Sequence, residues 1–80
     1  MLLKDVLRFD YTKLRRRIKQ ICVTQDEFSK QMNLSTTSIS DKLNNKVEFK
    51  QSEINRACEV LEIGPAEISC YFFTESVKEA

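Results

Sequence analysis

The residues of this chain best suited to chemistry are short hydroxyls and amides. They gather between Thr24 and Asn44, in TQDEFSKQMNLSTTSISDKLN. Their chemistry is hydrogen bonding to an outside surface, not bond making. The chain has no His and a single Gly, so it offers no Cys–His pair and no Gly-rich phosphate loop. Its carboxylates spread along the sequence instead of pairing. Catalysis, a cofactor and a small-molecule substrate are therefore not expected. Cys22, Cys58 and Cys70 are odd in number, far apart and without His, which does not make a four-ligand zinc set. They read as small buried or half-buried thiols in a reducing compartment.

Two short helices must carry the polar row. Thr24 and Glu27 have capping-box spacing, in which the Thr hydroxyl takes a free N–H and the Glu reaches back. Phe28 and Met32, four apart, share one face. Ser29 between them is small enough to admit a neighbouring helix. Asn33 falls where the chain turns and tolerates a left-handed backbone. Leu34 plugs the turn, and Ser35 is a natural N-cap for the second helix. Ile39 and Leu43 hold that helix to the core. At about 100° per residue, the outward face is then Thr36, Thr37, Ser38, Ser40 and Asp41. Ser and Thr pair with any base edge, the Thr methyl packs on thymine, and Asp accepts from a cytosine amino group. Two capped helices, a tight turn and a polar second helix predict a helix-turn-helix that puts its second helix in the DNA major groove. The plain alternative is a helical hairpin with a solvated face.

The remaining elements read as helical support. Leu14, Ile18 and Ile21 or Cys22 repeat at helical spacing from Tyr11, with Asp10 or Thr12 as cap. Arg15, Arg16, Arg17 and Lys19 occupy the polar side, for solubility or for the DNA backbone. Val47 and Phe49 are expected to tuck inward from the loop 44–49. Ile54, Ala57, Cys58 and Leu61 give a fourth helix over about 50–61. Gly64 should end it, and Pro65 should start a fifth. Tyr71, Phe72 and Phe73 cannot all bury in so small a core, which marks them as a possible dimer surface. The expectation is one all-α, compact five-helix domain over 10–75, with 1–9 as an N-terminal extension, arm or short helix and 76–80 as a tail. No apolar run is long enough to span a membrane, and MLLKDVL is too short and too charged for a signal peptide. A cytoplasmic, nucleoid-associated protein is expected.

Charge agrees with the placement of the motif. Residues 1–50 hold eleven Lys or Arg against six Asp or Glu, whereas residues 51–80 hold two against six. Phosphate contacts supply most nonspecific affinity for DNA, so the basic half is the half expected to meet it.

The Thr24–Asn44 segment resembles the helix-turn-helix of the phage repressor and Cro-type superfamily, whose domains are lambda-repressor-like. The run from Asp10 to about Phe73, some four fifths of the chain, is similar to small regulators from phages and prophages of Gram-positive bacteria. The resemblance implies that Gln25 opens the first helix of the motif and touches the DNA backbone or a partner side chain. It implies a phosphate contact for Asn44, in Leu43-Asn44-Asn45 where relatives often have Leu-Asn-Gly. Asn33 and Asn45 replace usual glycines. Lys42 stands where many relatives carry a large apolar residue. Ser35, Lys42 and Lys46 join Gln25 and Asn44 as expected backbone contacts. The function implied is a sequence-specific, homodimeric regulator of Cro-like or short-repressor type, reading an inverted-repeat operator in double-stranded DNA. The competing reading is a protein-interaction module on the same scaffold, antirepressor-like or antitoxin-like. Asp41 and the C-terminal aromatics favour that alternative.

Overall fold

Helix boundaries follow from where short polar side chains can satisfy free backbone N–H groups. The computed structural model describes residues 8–75. It contains α1 (Thr12–Ile21), α2 (Gln25–Met32), α3 (Thr36–Leu43), α4 (Gln51–Leu61), a 3-10 turn at Pro65–Glu67 and α5 (Ile68–Phe72). Asp10 Oδ1 accepts from the Thr12 N–H at 2.9 Å and from its hydroxyl at 2.6 Å, which starts α1. These hydrogen bonds hold the Asp10 carboxyl below the usual carboxylate range. Thr24 Oγ1 accepts the Glu27 N–H at 3.1 Å and starts α2. The expected box is only half formed. The Thr24 N–H donates to the Cys22 carbonyl at 2.8 Å, and Glu27 Oε2 instead accepts from Gln31 Nε2 at 3.1 Å. A capping Glu does reach back at α4, where the Lys50 N–H donates to Glu53 Oε1 at 2.8 Å.

The turn between α2 and α3 forms as its residues suggest. Asn33 is left-handed at φ 60°, and the Leu34 N–H donates to the Ser29 carbonyl at 2.9 Å. Ser29 is buried and spends its hydroxyl on the Asp26 carbonyl at 2.7 Å, so no polar atom is stranded beneath α3. Ser35 Oγ accepts the Ser38 N–H at 3.1 Å and caps α3.

The end of α4 differs from expectation. Glu62, at φ 58°, takes the left-handed position, while Gly64 is extended and has open space where a Cβ would sit. Arg17 explains how Glu62 serves. Its guanidinium donates to the carbonyls of Leu61 at 2.9 Å and Glu62 at 3.2 Å, satisfying groups that a helix end leaves free. Arg17 is thus committed to α4.

The core draws one large, fully buried side chain from each helix: Leu14, Phe28, Ile39, Leu61 and Phe72. Each such burial contributes roughly 1.5–3 kcal/mol, so the five together outweigh any surface term. Cys22 lies in the core and Cys58 at its edge, and burial raises both thiols; Cys70, expected to be at least half-buried, is exposed.

The two ends of the described chain meet beside this core. Phe9 and Glu75 form an isolated antiparallel bridge, and the Asp10 N–H donates to the Thr74 carbonyl at 2.7 Å. Asn45 clasps the same segment. Its Oδ1 accepts the Phe9 N–H, and its Nδ2 donates to the Phe9 carbonyl, both at 2.9 Å. Phe9, read from the sequence as the last residue of the extension, is held by the domain. Residues 1–7 and 76–80, where an arm or helix and a tail were expected, lie outside the described residues.

Candidate nucleic-acid interface

Capping, then packing, decides what α3 shows to solvent. Ile39 and Leu43 turn into the core, which leaves Thr36 and Thr37 exposed and Ser38, Ser40 and Asp41 half-buried. Ser38 is partly engaged, since Ser35 Oγ donates to its hydroxyl at 3.1 Å. Ser40 Oγ accepts from Asn44 Nδ2 at 3.4 Å. The Asp41 carbonyl accepts the Lys46 N–H at 2.8 Å, closing the turn that follows α3. Thr36 and Thr37 are therefore the most exposed hydrogen-bonding groups of the expected reading face.

Of the residues expected on the DNA backbone, Gln25 and Asn44 come together at one place. Both accept from Arg15, whose side chain reaches them from α1. Ser35 is exposed as the cap of α3, at the opposite end of that helix from Asn44, and Lys46 is exposed in the loop beyond α3.

Lys42 is a correction. It is 5% exposed, pairs with Glu53 at 3.1 Å and donates to the Glu48 carbonyl at 3.3 Å. Its stem packs inward while its head reaches polar partners, so it is unavailable to phosphate. Burial raises the Glu53 carboxyl, but the Lys50 N–H and the Lys42 ammonium lower it further, and the net value is below that of a free glutamate. The signal was present in the sequence, because the resemblance implies a large apolar residue at position 42, hence an inward one.

The aromatic run is a correction in part: as expected the three do not all bury, but two of them leave the expected dimer surface. Tyr71 and Phe72 are core residues, and Lys13 Nζ lies 4.8 Å over the Tyr71 ring. Only Phe73, at 50% exposure, remains open to a partner. Val47 is also exposed instead of tucked in. Together with Phe9, Tyr11, Phe49 and Phe72 these two residues line an open cavity of about 480 Å³. Edge-to-face contacts knit its walls: Phe9 with Phe73 at 5.9 Å, Tyr11 with Phe49 at 5.6 Å, and Phe49 with Phe72 at 5.3 Å between ring centroids. Sequence reasoning missed this cavity because its walls come from three distant segments.

With that geometry in view, comparison with known proteins is informative. Residues 7–75 match the model of a family described as a protein of unknown function (DUF739). No curated protein matches the chain. The chain is similar to the modulator of repression (MOR) of the temperate bacteriophage TP901-1 from Lactococcus lactis, known from a solution structure. The two share 45% identity over 81% of this chain and 88% of that one, with a TM-score of 0.73. The family match spans most of the chain and the structural relative has the same helical fold, so this protein is a member of the DUF739 family.

Proposed function

We propose that this protein is a phage-type transcription regulator that reads operator DNA through α3, as a symmetric dimer, without catalysis or cofactor, in the cytoplasm of its host. The observation that carries the reading is the juxtaposition at α3. The free hydroxyls of Thr36 and Thr37 lie at its start, and the amides of Gln25 and Asn44 gather around Arg15 at its end. The first pair suits base edges and the second suits phosphate oxygens. A role in phage gene control is supported by the similarity to a protein described as a modulator of repression.

A second reading has its own support. Residues 24–46 carry Lys30, Lys42 and Lys46 against Asp26, Glu27 and Asp41, so the α2–α3 unit is neutral overall. With Lys42 withdrawn into an ion pair, few cations remain to meet phosphate. The same face then suits docking on a protein, a reading compatible with a relative described as a modulator of repression.

Selection of bound duplexes from a random pool at near-physiological salt separates the two readings. The expected result is an inverted repeat with half-sites about 10 bp apart, centre to centre. Thr37→Glu is expected to reduce binding of that site by at least about fivefold, since a wrong base contact costs about 1–3 kcal/mol. Recovery of no sequence, with weak binding that collapses as salt rises, would sink the DNA reading and leave the protein-docking one.

A further inference from the structure

Arg15 reaches from α1 to both ends of the α2–α3 unit. One terminal nitrogen donates to Gln25 Oε1 at 3.4 Å. The other donates to Asn44 Oδ1 at 3.0 Å and to the Leu43 carbonyl at 3.1 Å. Gln25 opens α2, and Asn44 closes α3. The three side chains are thus joined across 29 residues of sequence.

Hydrogen-bond chemistry then dictates how the two amides are turned. A guanidinium has donors and no acceptor. Both amides must give it their oxygens, which directs their NH₂ groups away from it. Asn44 Nδ2 has only the 3.4 Å contact with Ser40 Oγ, and Gln25 Nε2 has no acceptor among the described residues. Arg15 and Asn44 are exposed, and Gln25 is half-buried. Among the described residues no carboxylate pairs with Arg15. The cluster therefore offers in one place the free NH₂ of Gln25, the second N–H of Asn44 beyond its contact with Ser40, and a positive charge with no carboxylate partner among the described residues.

We propose that Arg15, Gln25 and Asn44 form a single clamp for a phosphate group, in which Arg15 is the positioning residue that orients both amides. The proposal rests on the DNA reading of α3 and deepens it, naming the side chain that organises the grip. Lysine at position 15 would keep the charge but not the fork, because an ammonium is a point donor that does not hold two separate amides in plane. Arg15→Lys thus isolates orientation from charge.

The test is NMR on the full chain labelled with ¹⁵N, following the side-chain amide signals of Gln25 and Asn44. Inorganic phosphate is titrated in one series and a duplex of about 20 bp, two helical turns, in another. Both amide signals are expected to move together with phosphate and to saturate at one apparent Kd. Arg15→Lys is expected to weaken that response at least about tenfold, given that hydrogen bonds to charged groups are worth about 1.5–3 kcal/mol. Unchanged backbone signals for Ile39 and Leu43 certify that the variant is folded. Amides that ignore both phosphate and duplex overturn the clamp, as does an Arg15→Lys protein that responds like the parent. A duplex that moves Thr36 and Thr37 but neither amide overturns the clamp and leaves the DNA reading standing. Phosphate that moves both amides in an Arg15-dependent way, with no duplex bound, does the reverse.

Discussion

In the α2–α3 unit the defining hydrogen bonds join residues three to five apart: Thr24 to Glu27, Ser35 to Ser38, Leu34 to Ser29. At the seam where the chain ends meet, Phe9 bonds Asn45 across 36 residues and bridges to Glu75. The first region needs little from the rest of the molecule to take its shape. The second exists only once the whole chain has closed. The difference bears on function, because the loop after α3 belongs to both. Asn45, left-handed at φ 64°, spends its side chain on Phe9, and the exposed Lys46 that follows it bonds back to α3 through the Asp41 carbonyl. The reading surface is thus local at one end and tied to the chain termini at the other.

The sharpest way to probe the seam is to compare its two neighbouring aromatics. Phe72 is 1% exposed and Phe73 is 50% exposed. Phe72→Ala is expected to cost about 3–5 kcal/mol, a large share of the roughly 5–15 kcal/mol typical of a domain. Phe73→Ala should cost about 1 kcal/mol, the worth of its edge contact with Phe9. Urea unfolding followed by circular dichroism gives both numbers. Equal losses that grow with protein concentration would place Phe73 in a subunit interface and make the seam part of the dimer.

The next effect belongs to the far side of the reading helix. Breaking a buried ion pair by removing one partner costs about 3–5 kcal/mol, and the partial exposure of Glu53 sets Lys42→Ala near the lower figure. Replacing both residues, as Lys42→Met with Glu53→Gln, should lose less than Lys42→Ala alone, because no charge is then left unpaired. The pH dependence has a definite sign. The folded Glu53 carboxyl lies below its unfolded value. Its stabilisation is complete above the ordinary glutamate pKa of about 4.3 and disappears as pH falls through the lower folded value. Glu53→Gln should flatten that acid limb in stability measured from about pH 7 to about pH 2, across the range in which carboxylates titrate. An acid limb unchanged by Glu53→Gln would mean that the pair contributes nothing to holding α3 on α4.

These contrasts explain what was legible beforehand. The five helices, the caps at Thr24 and Ser35, the left-handed Asn33 and the inward Ile39 and Leu43 all follow from relations within one or two helical turns. A long cation is different, because its destination is set by groups that the sequence does not place nearby. Lys42 turned to Glu53, Arg17 to the end of α4, and Arg15 to Gln25 and Asn44. Three residues expected or allowed at the DNA backbone proved to be structural ties, and only Arg15 also faces outward toward the candidate site. Asn45 stands where the resemblance implies Gly, and its left-handed backbone at φ 64° carries a conformational cost. Its compensation, the clasp on Phe9, lies 36 residues away and has no local signature. The same distance hid the aromatic cavity.

The local region has one residue that disagrees with its own backbone, and it yields the smallest and cleanest prediction. Val23 sits at φ 74° where α1 gives way to α2, with its N–H donating to the Ile18 carbonyl at 3.1 Å. Asn33 fills the equivalent place after α2 with a residue that suits it. A left-handed backbone costs an ordinary L-residue about 1–2 kcal/mol, and β-branching makes Val a poor occupant. Val23 is also 68% exposed, so it recovers little by burial. Val23→Asn is therefore expected to stabilise the protein by about 1 kcal/mol, raising Tm by roughly 4–8 °C for a domain of this size. Val23→Gly should gain less, since Gly also frees the unfolded chain. If neither variant melts higher, the strain at Val23 is offset by apolar contact that its side chain makes, and the turn into α2 is held by packing as the seam is, not by backbone preference alone.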